Sequence, residues 1–132
     1  MQRLLFFCLL LLTGCRQSGA LEEEDVLSYL YQSWENSLAE SQADRFVFRN
    51  ANYNFTGTGY RQKFVFTPAN VQVSVSQSNK VTMVTGTYSV VKNGNKIAEL
   101  TITYTAPGQK QPTVVHYQVL ILSKDLLLVK AV

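Results

Sequence analysis

Tyr88-Ser89-Val90-Val91-Lys92-Asn93-Gly94-Asn95-Lys96-Ile97-Ala98-Glu99-Leu100-Thr101-Ile102-Thr103-Tyr104 decides the fold of this 132-residue chain. Two alternating runs flank Asn93-Gly94, and both of those residues tolerate the positive φ that a type I′ hairpin turn demands. On the second arm Ala98, Leu100, Ile102 and Tyr104 face one way and Glu99, Thr101, Thr103 and Thr105 the other, the period of a half-buried strand. On the first arm Val84, Gly86, Tyr88 and Val90 share a face. Gly86 leaves a gap in that row, which predicts a bend or a close backbone approach.

The same period of two extends outward in both directions. Toward the N-terminus, Val71, Val73 and Val75 form a strand between the turns Thr67–Asn70 and Ser76–Asn79. Tyr60, Gln62, Phe64 and Phe66 share a face of the strand before it. Phe46 and Phe48 alternate with Val47 and Arg49, and Tyr53 and Phe55 follow on the opposite parity, so a bulge or loop lies between Arg49 and Asn52. Toward the C-terminus, Ala106–Pro112 reads as a loop. Val115, Tyr117, Val119 and Ile121 then alternate with His116, Gln118, Leu120 and Leu122, and Ser123-Lys124-Asp125 turns into Leu126–Val132. This last hairpin is apolar on both faces, and an N-terminal helix is the expected cover for the second face.

That helix is predicted from Glu22-Glu23-Glu24-Asp25, whose carboxylates suit a positive helix N-terminus, followed by Leu27, Leu30, Tyr31 and Trp34 on one side. It runs to Glu40, or it ends near Leu30 and passes into a strand through Trp34. As the single tryptophan, Trp34 is expected in the core. The sum is a mainly β domain of seven or eight strands: an antiparallel up-and-down meander, closed or partly closed into a small barrel, with one short N-terminal helix. Residues 22–132 form that single domain.

Before it, Arg3 and the apolar run Leu4–Leu12 have the layout of a signal peptide. A nine-residue helix rises about 14 Å, too little to span a bilayer. Leu12-Thr13-Gly14-Cys15 then resembles the lipobox of bacterial lipoproteins. That resemblance implies cleavage before Cys15 (residues 1–14 removed), lipidation of the Cys15 thiol, and a short tether over residues 15–21. Two or three acyl chains, at ~0.8 kcal/mol per buried CH₂, would hold such a protein in membrane lipid. It implies a lipid-anchored protein of the bacterial cell envelope, and Arg16, in place of aspartate, implies the outer membrane if the source is Gram-negative. The alternative is an ordinary secretory cut after Ser18-Gly19-Ala20, with Leu21 as first residue. Neither cut leaves two cysteines, so an internal disulfide is not expected.

The body itself resembles small bacterial lipocalin-like lipoproteins. The likeness rests on Trp34-Glu35-Asn36-Ser37, Phe64-Val65-Phe66, Gly86-Thr87-Tyr88 and Tyr117-Gln118-Val119-Leu120-Ile121-Leu122-Ser123-Lys124-Asp125-Leu126. It departs from the lipocalin pattern at Gln32, where glycine usually precedes the tryptophan by two residues. The resemblance implies a lipocalin-like barrel that binds or carries a small hydrophobic ligand. Phe64, Phe66, Tyr88, Tyr104 and Tyr117 are the candidate ligand-binding residues.

Charge is unevenly divided. Residues 16–44 hold one basic residue against seven acidic ones, and residues 45–132 hold ten against two. Either a basic face meets a polyanion such as anionic lipid headgroups, or the acidic segment lies against the basic sheet. Signals for enzymatic chemistry are weak. His116 is the sole histidine, a lipidated Cys15 is no nucleophile, and Glu99 and Asp125 have no spacing that argues for a catalytic pair. Gly57-Thr58-Gly59 lacks the context of a phosphate loop. The expectation is a non-enzymatic protein with no cofactor, no metal and no nucleic-acid partner. It carries a hydrophobic ligand, or else works as a structural, adaptor or inhibitor lipoprotein that docks an envelope protein or polyanion through its surface.

Overall fold

The computed structural model describes residues 25–132, so the leader, the lipobox, Cys15 and Glu22–Glu24 lie outside the described residues. One helix, α1 (Val26–Leu30), precedes eight strands: β1 (Ser33–Asn36), β2 (Arg45–Asn50), β3 (Lys63–Phe66), β4 (Val71–Gln77), β5 (Lys80–Asn93), β6 (Lys96–Tyr104), β7 (Thr113–Leu122) and β8 (Leu126–Ala131). Every pairing is antiparallel, and the sheet closes on itself in the order β1-β2-β8-β7-β6-β5-β4-β3. Closure leaves no free sheet edge along most of the barrel, the usual remedy for the unpaired backbone of an open meander.

The order corrects the expected simple up-and-down path at one place. Strands β3 to β8 form an uninterrupted meander, but β1 lies between β2 and β3 and pairs with both. The β2–β3 connection, residues 51–62, therefore passes over β1. Tyr53 and Phe55, expected on a strand, instead stack edge to face in this connection with centroids 4.9 Å apart. Arg49 lies over the Tyr53 ring and Arg61 over the Phe55 ring, at 5.0 and 4.9 Å.

The helix is one turn and a half long. Asp25 is its N-cap and accepts from the Leu27 amide, so the described helix starts after the acidic run rather than within it. It ends at Leu30, and Trp34 lies on β1, which resolves the two alternatives in favour of the strand. The Trp34 indole N–H donates to the Leu30 carbonyl at 3.1 Å, joining helix to barrel. Leu30 is buried, and Val26, Leu27 and Tyr31 pack against the core. The helix packs against β6 and β7, but Leu120 and Ile121 stay exposed, so it covers the second face of the β7–β8 hairpin only in part.

Gly86 sits at the corner of the longest strand. Residues 80–86 of β5 pair with β4, and residues 87–93 pair with β6. A Cβ on Gly86 would stand 2.5 Å from the Thr103 carbonyl oxygen, so only glycine fits this approach. The turns differ from expectation in detail. Gln77 pairs with Lys80 around Ser78 and Asn79, both at positive φ, the type I′ pattern. Asn93 pairs with Lys96, so the loop residues of the central hairpin are Gly94 and Asn95, and of these only Gly94 has positive φ. That matches a type II′ turn, with glycine at the first central position.

Two register shifts change which residues face inward. Val91 pairs with Glu99 and Lys92 with Ile97, so Ala98 is a bulge, and Ile97 takes the buried position expected for Ala98. Val119 pairs with Val129 and Ile121 with Leu128, so Leu120 is a second bulge. Beyond it Leu122 packs on the core, while Ile121, expected inside, is 44% exposed. One extra residue flips every following side chain to the other face.

Candidate functional site

The interior is a packed aromatic and aliphatic core. Phe48 meets Phe64 with ring centroids at 5.3 Å, Phe64 meets Phe66 at 5.9 Å, and Phe66 meets Tyr88 edge-on at 5.1 Å. Tyr117 contacts Phe46 and Phe48 at 6.1 and 6.5 Å. Trp34, Val71, Val73, Leu100, Ile102, Leu127 and Val129 fill the rest, each at most 1% exposed. These are the distances and tilts at which aromatic pairs attract each other.

Four of the five candidate ligand-binding residues, Phe64, Phe66, Tyr88 and Tyr117, take part in those ring contacts. Phe64 and Phe66 are 1% and 2% exposed. The Tyr88 hydroxyl donates to the Thr67 carbonyl at 2.7 Å, and burial, aided by the neighbouring Tyr31, pushes its pKa up to about 12. Burial, aided by Tyr104, pushes Tyr117 up to about 12 as well. Tyr104 is half-buried against the same core. The structure brings all five together as packing partners, with no basic or carboxylate group among them.

A groove with both polar and apolar lining opens elsewhere, where β6, β7 and α1 meet. Its volume is about 400 Å³, and Val26, Asn93, Lys96, Ile97, Ala98, Val119, Leu120, Ile121 and Leu122 line it. Sites for small molecules commonly occupy ~300–1,000 Å³. The cause is the strand geometry. The β6–β7 ladder runs from Tyr104↔Thr113 to Glu99↔Gln118 and stops there, so toward the α1 end the two strands part. Ala98 and Leu120, the two bulge residues, both line the opening. Val26 enters from the helix, and Asp25 beside it pairs with Lys92 at 4.0 Å. Nothing in the sequence period announces this groove, because both bulges interrupt runs that read as regular.

Several other polar groups tie elements of the barrel together. Arg49 grips Glu40 through two hydrogen bonds, Nε to Oε2 at 2.9 Å and an Nη2 bond to Oε1 at 2.6 Å. That guanidinium holds the Glu40 carboxyl at about 2, well below the ordinary carboxylate range. The Asn50 amide donates to Asp125 at 2.9 Å and ties the β2 end to the β7–β8 turn. His116 is exposed on the outer face of β7, and its Nδ1 lies 3.0 Å from the Thr101 hydroxyl. Among the described residues no three His, Cys, Asp or Glu side chains gather in a way that could hold a metal ion. No described helix is long and apolar enough to cross a membrane.

No family model, no curated protein and no solved structure matches this chain.

Proposed function

We propose that the protein is a non-enzymatic envelope lipoprotein, anchored through Cys15, that works by docking a partner on the outside of its barrel. The observation that carries this reading is the filled interior: the side chains that would line a lipocalin-like cavity spend their surface on each other. The exterior supports it from the other side, since Leu120 and Ile121 are 36% and 44% exposed next to the lateral groove. An apolar surface left open on a protein that could have covered it marks an interaction site. In this reading the lipid chains fix the body near the bilayer and the barrel supplies a rigid, ligand-free surface.

The test is site-specific photocrosslinking in intact cells, with the photoreactive side chain placed at Leu120, His116 and Lys80 in turn, followed by intact-mass analysis of the mature N-terminus. The reading expects one protein crosslinked from at least one of these faces, and a first residue Cys15 bearing hydrocarbon mass. Absence of any crosslinked protein, or a mature chain starting at Leu21 without lipid, refutes the docking and anchoring parts respectively. A carrier role for a small hydrophobic ligand is the second reading, and the 400 Å³ groove, rather than the interior, is the place that favours it.

A further inference from the structure

We infer that the lateral split between β6 and β7 is a slot for an extended peptide strand of a partner protein, one that carries apolar residues and a carboxylate. This rests on the surface-docking reading and names the surface.

The groove is bordered by two strand edges that the barrel itself does not use. On the β6 side Lys96 and Ile97 pair with β5 alone, and on the β7 side Val119, Ile121 and Leu122 pair with β8 alone. Among the described residues the β6–β7 ladder pairs no residue of one stretch with the other. An unpaired strand edge is a template for another strand, and an acyl chain or apolar small molecule would leave its N–H and C=O groups unanswered. A peptide answers them. The bulges add to this: Ala98 is skipped by the β5 ladder and Leu120 by the β8 ladder, so each turns an irregular backbone toward the slot.

Side chains set the chemistry of the occupant. Ile97, Ala98, Val119, Leu122 and Val26 give an apolar floor for alternate residues of the incoming strand. Asn93 and Lys96 line the slot as well. Lys92 is taken up by Asp25, but Lys96 has no ion pair among the described residues. An ammonium that has no ion pair among the described residues, beside this slot, selects a carboxylate on the strand that enters it.

The probe is a fluorescently labelled, end-blocked peptide of alternating valine and glutamate, six residues long, titrated by anisotropy onto the full mature chain. Hydrogen exchange is followed in parallel at residues 96–98 and 119–122. Binding is expected together with slowed exchange at both stretches. N-methylation of alternate peptide amides is expected to abolish it, a valine–lysine peptide to bind ~10-fold more weakly, and Lys96→Glu to reverse the preference between the two peptides. Lys80→Glu, at the far β4–β5 turn, leaves binding unchanged. The inference is overturned if the N-methylated peptide binds as well as its parent, or if neither peptide slows exchange at these residues. It is also overturned if dodecanoate alone gives the protection, or if the edges are already protected until residues 16–24 are deleted, which would make the occupant a lipid or the chain's own segment. A partner crosslinked in cells through His116 or Lys80 but not Leu120 removes this slot while leaving the docking reading intact.

Discussion

Phe64→Ala separates a filled barrel from a ligand-binding one. Phe64 is 1% exposed and sits between Phe48 and Phe66, with centroids 5.3 and 5.9 Å away. Removing a fully buried ring costs the transfer of its atoms plus the void left behind, ~3–5 kcal/mol for Phe→Ala. Two aromatic contacts go with it, which places this site toward the upper half of that range. Against a typical stability of ~5–15 kcal/mol the loss is large, and at ~4 °C per kcal/mol it lowers Tm by more than about 12 °C. Guanidinium unfolding followed by circular dichroism measures it, and the slope should stay constant while the midpoint falls. The variant should also acquire binding of a small apolar probe such as benzene, because an apolar void of side-chain size stays dry and accepts one. If Phe64 instead lined a ligand cavity, the wall would already be unsupported. A loss below about 1 kcal/mol, or equal probe binding by the parent protein, would refute the packed-interior reasoning.

Three further outcomes follow from the geometry. Gly86→Ala drives a methyl group to 2.5 Å from the Thr103 carbonyl oxygen, so the β5 corner must open; a cost of ~1–3 kcal/mol is expected, with the loss visible as faster amide exchange at Thr103 and Tyr104. Trp34→Phe drops the donor to the Leu30 carbonyl and leaves a void where the larger indole was fully buried, so thermal melts should show ~2–3 kcal/mol of lost stability, with α1 amides exchanging faster than the strands. Glu40 titrates at about 2 when folded and near its ordinary 4.5 when unfolded, so the Arg49–Glu40 pair stabilises fully above the unfolded value and the contribution disappears as pH falls through the folded one. Glu40→Gln should therefore cost ~1 kcal/mol at pH 7, a figure limited by the solvent access of both side chains, and the two proteins should converge by about pH 2.

Much of the barrel was legible because alternation is a local property. The runs at Val71–Val73, Phe64–Phe66 and Leu100–Tyr104 face where their period says, whereas in β4 Ser74 is buried in place of Val75, and Gly86 marks the corner that its missing side chain suggests. What escaped were features that depend on closure. No local signal distinguishes Ala98 or Leu120 as the extra residue, since the register of β6 against β5 and of β7 against β8 is settled by the whole ring. The position of β1 between β2 and β3 is likewise a long-range choice, fixed by Trp34 entering the core from a four-residue strand. The candidate site was only half readable. The aromatic residues were found, but composition cannot tell side chains that surround a space from side chains that fill it. The groove was invisible because it arises from two bulges meeting across a ladder that ends early.

Native mass spectrometry of the protein isolated from its native source in mild detergent tests the central claim most directly. A barrel that is full and acts through its exterior gives the mass of the chain itself, with nothing bound inside. A stoichiometric companion of a few hundred daltons that survives detergent exchange and is released only on unfolding would contradict it.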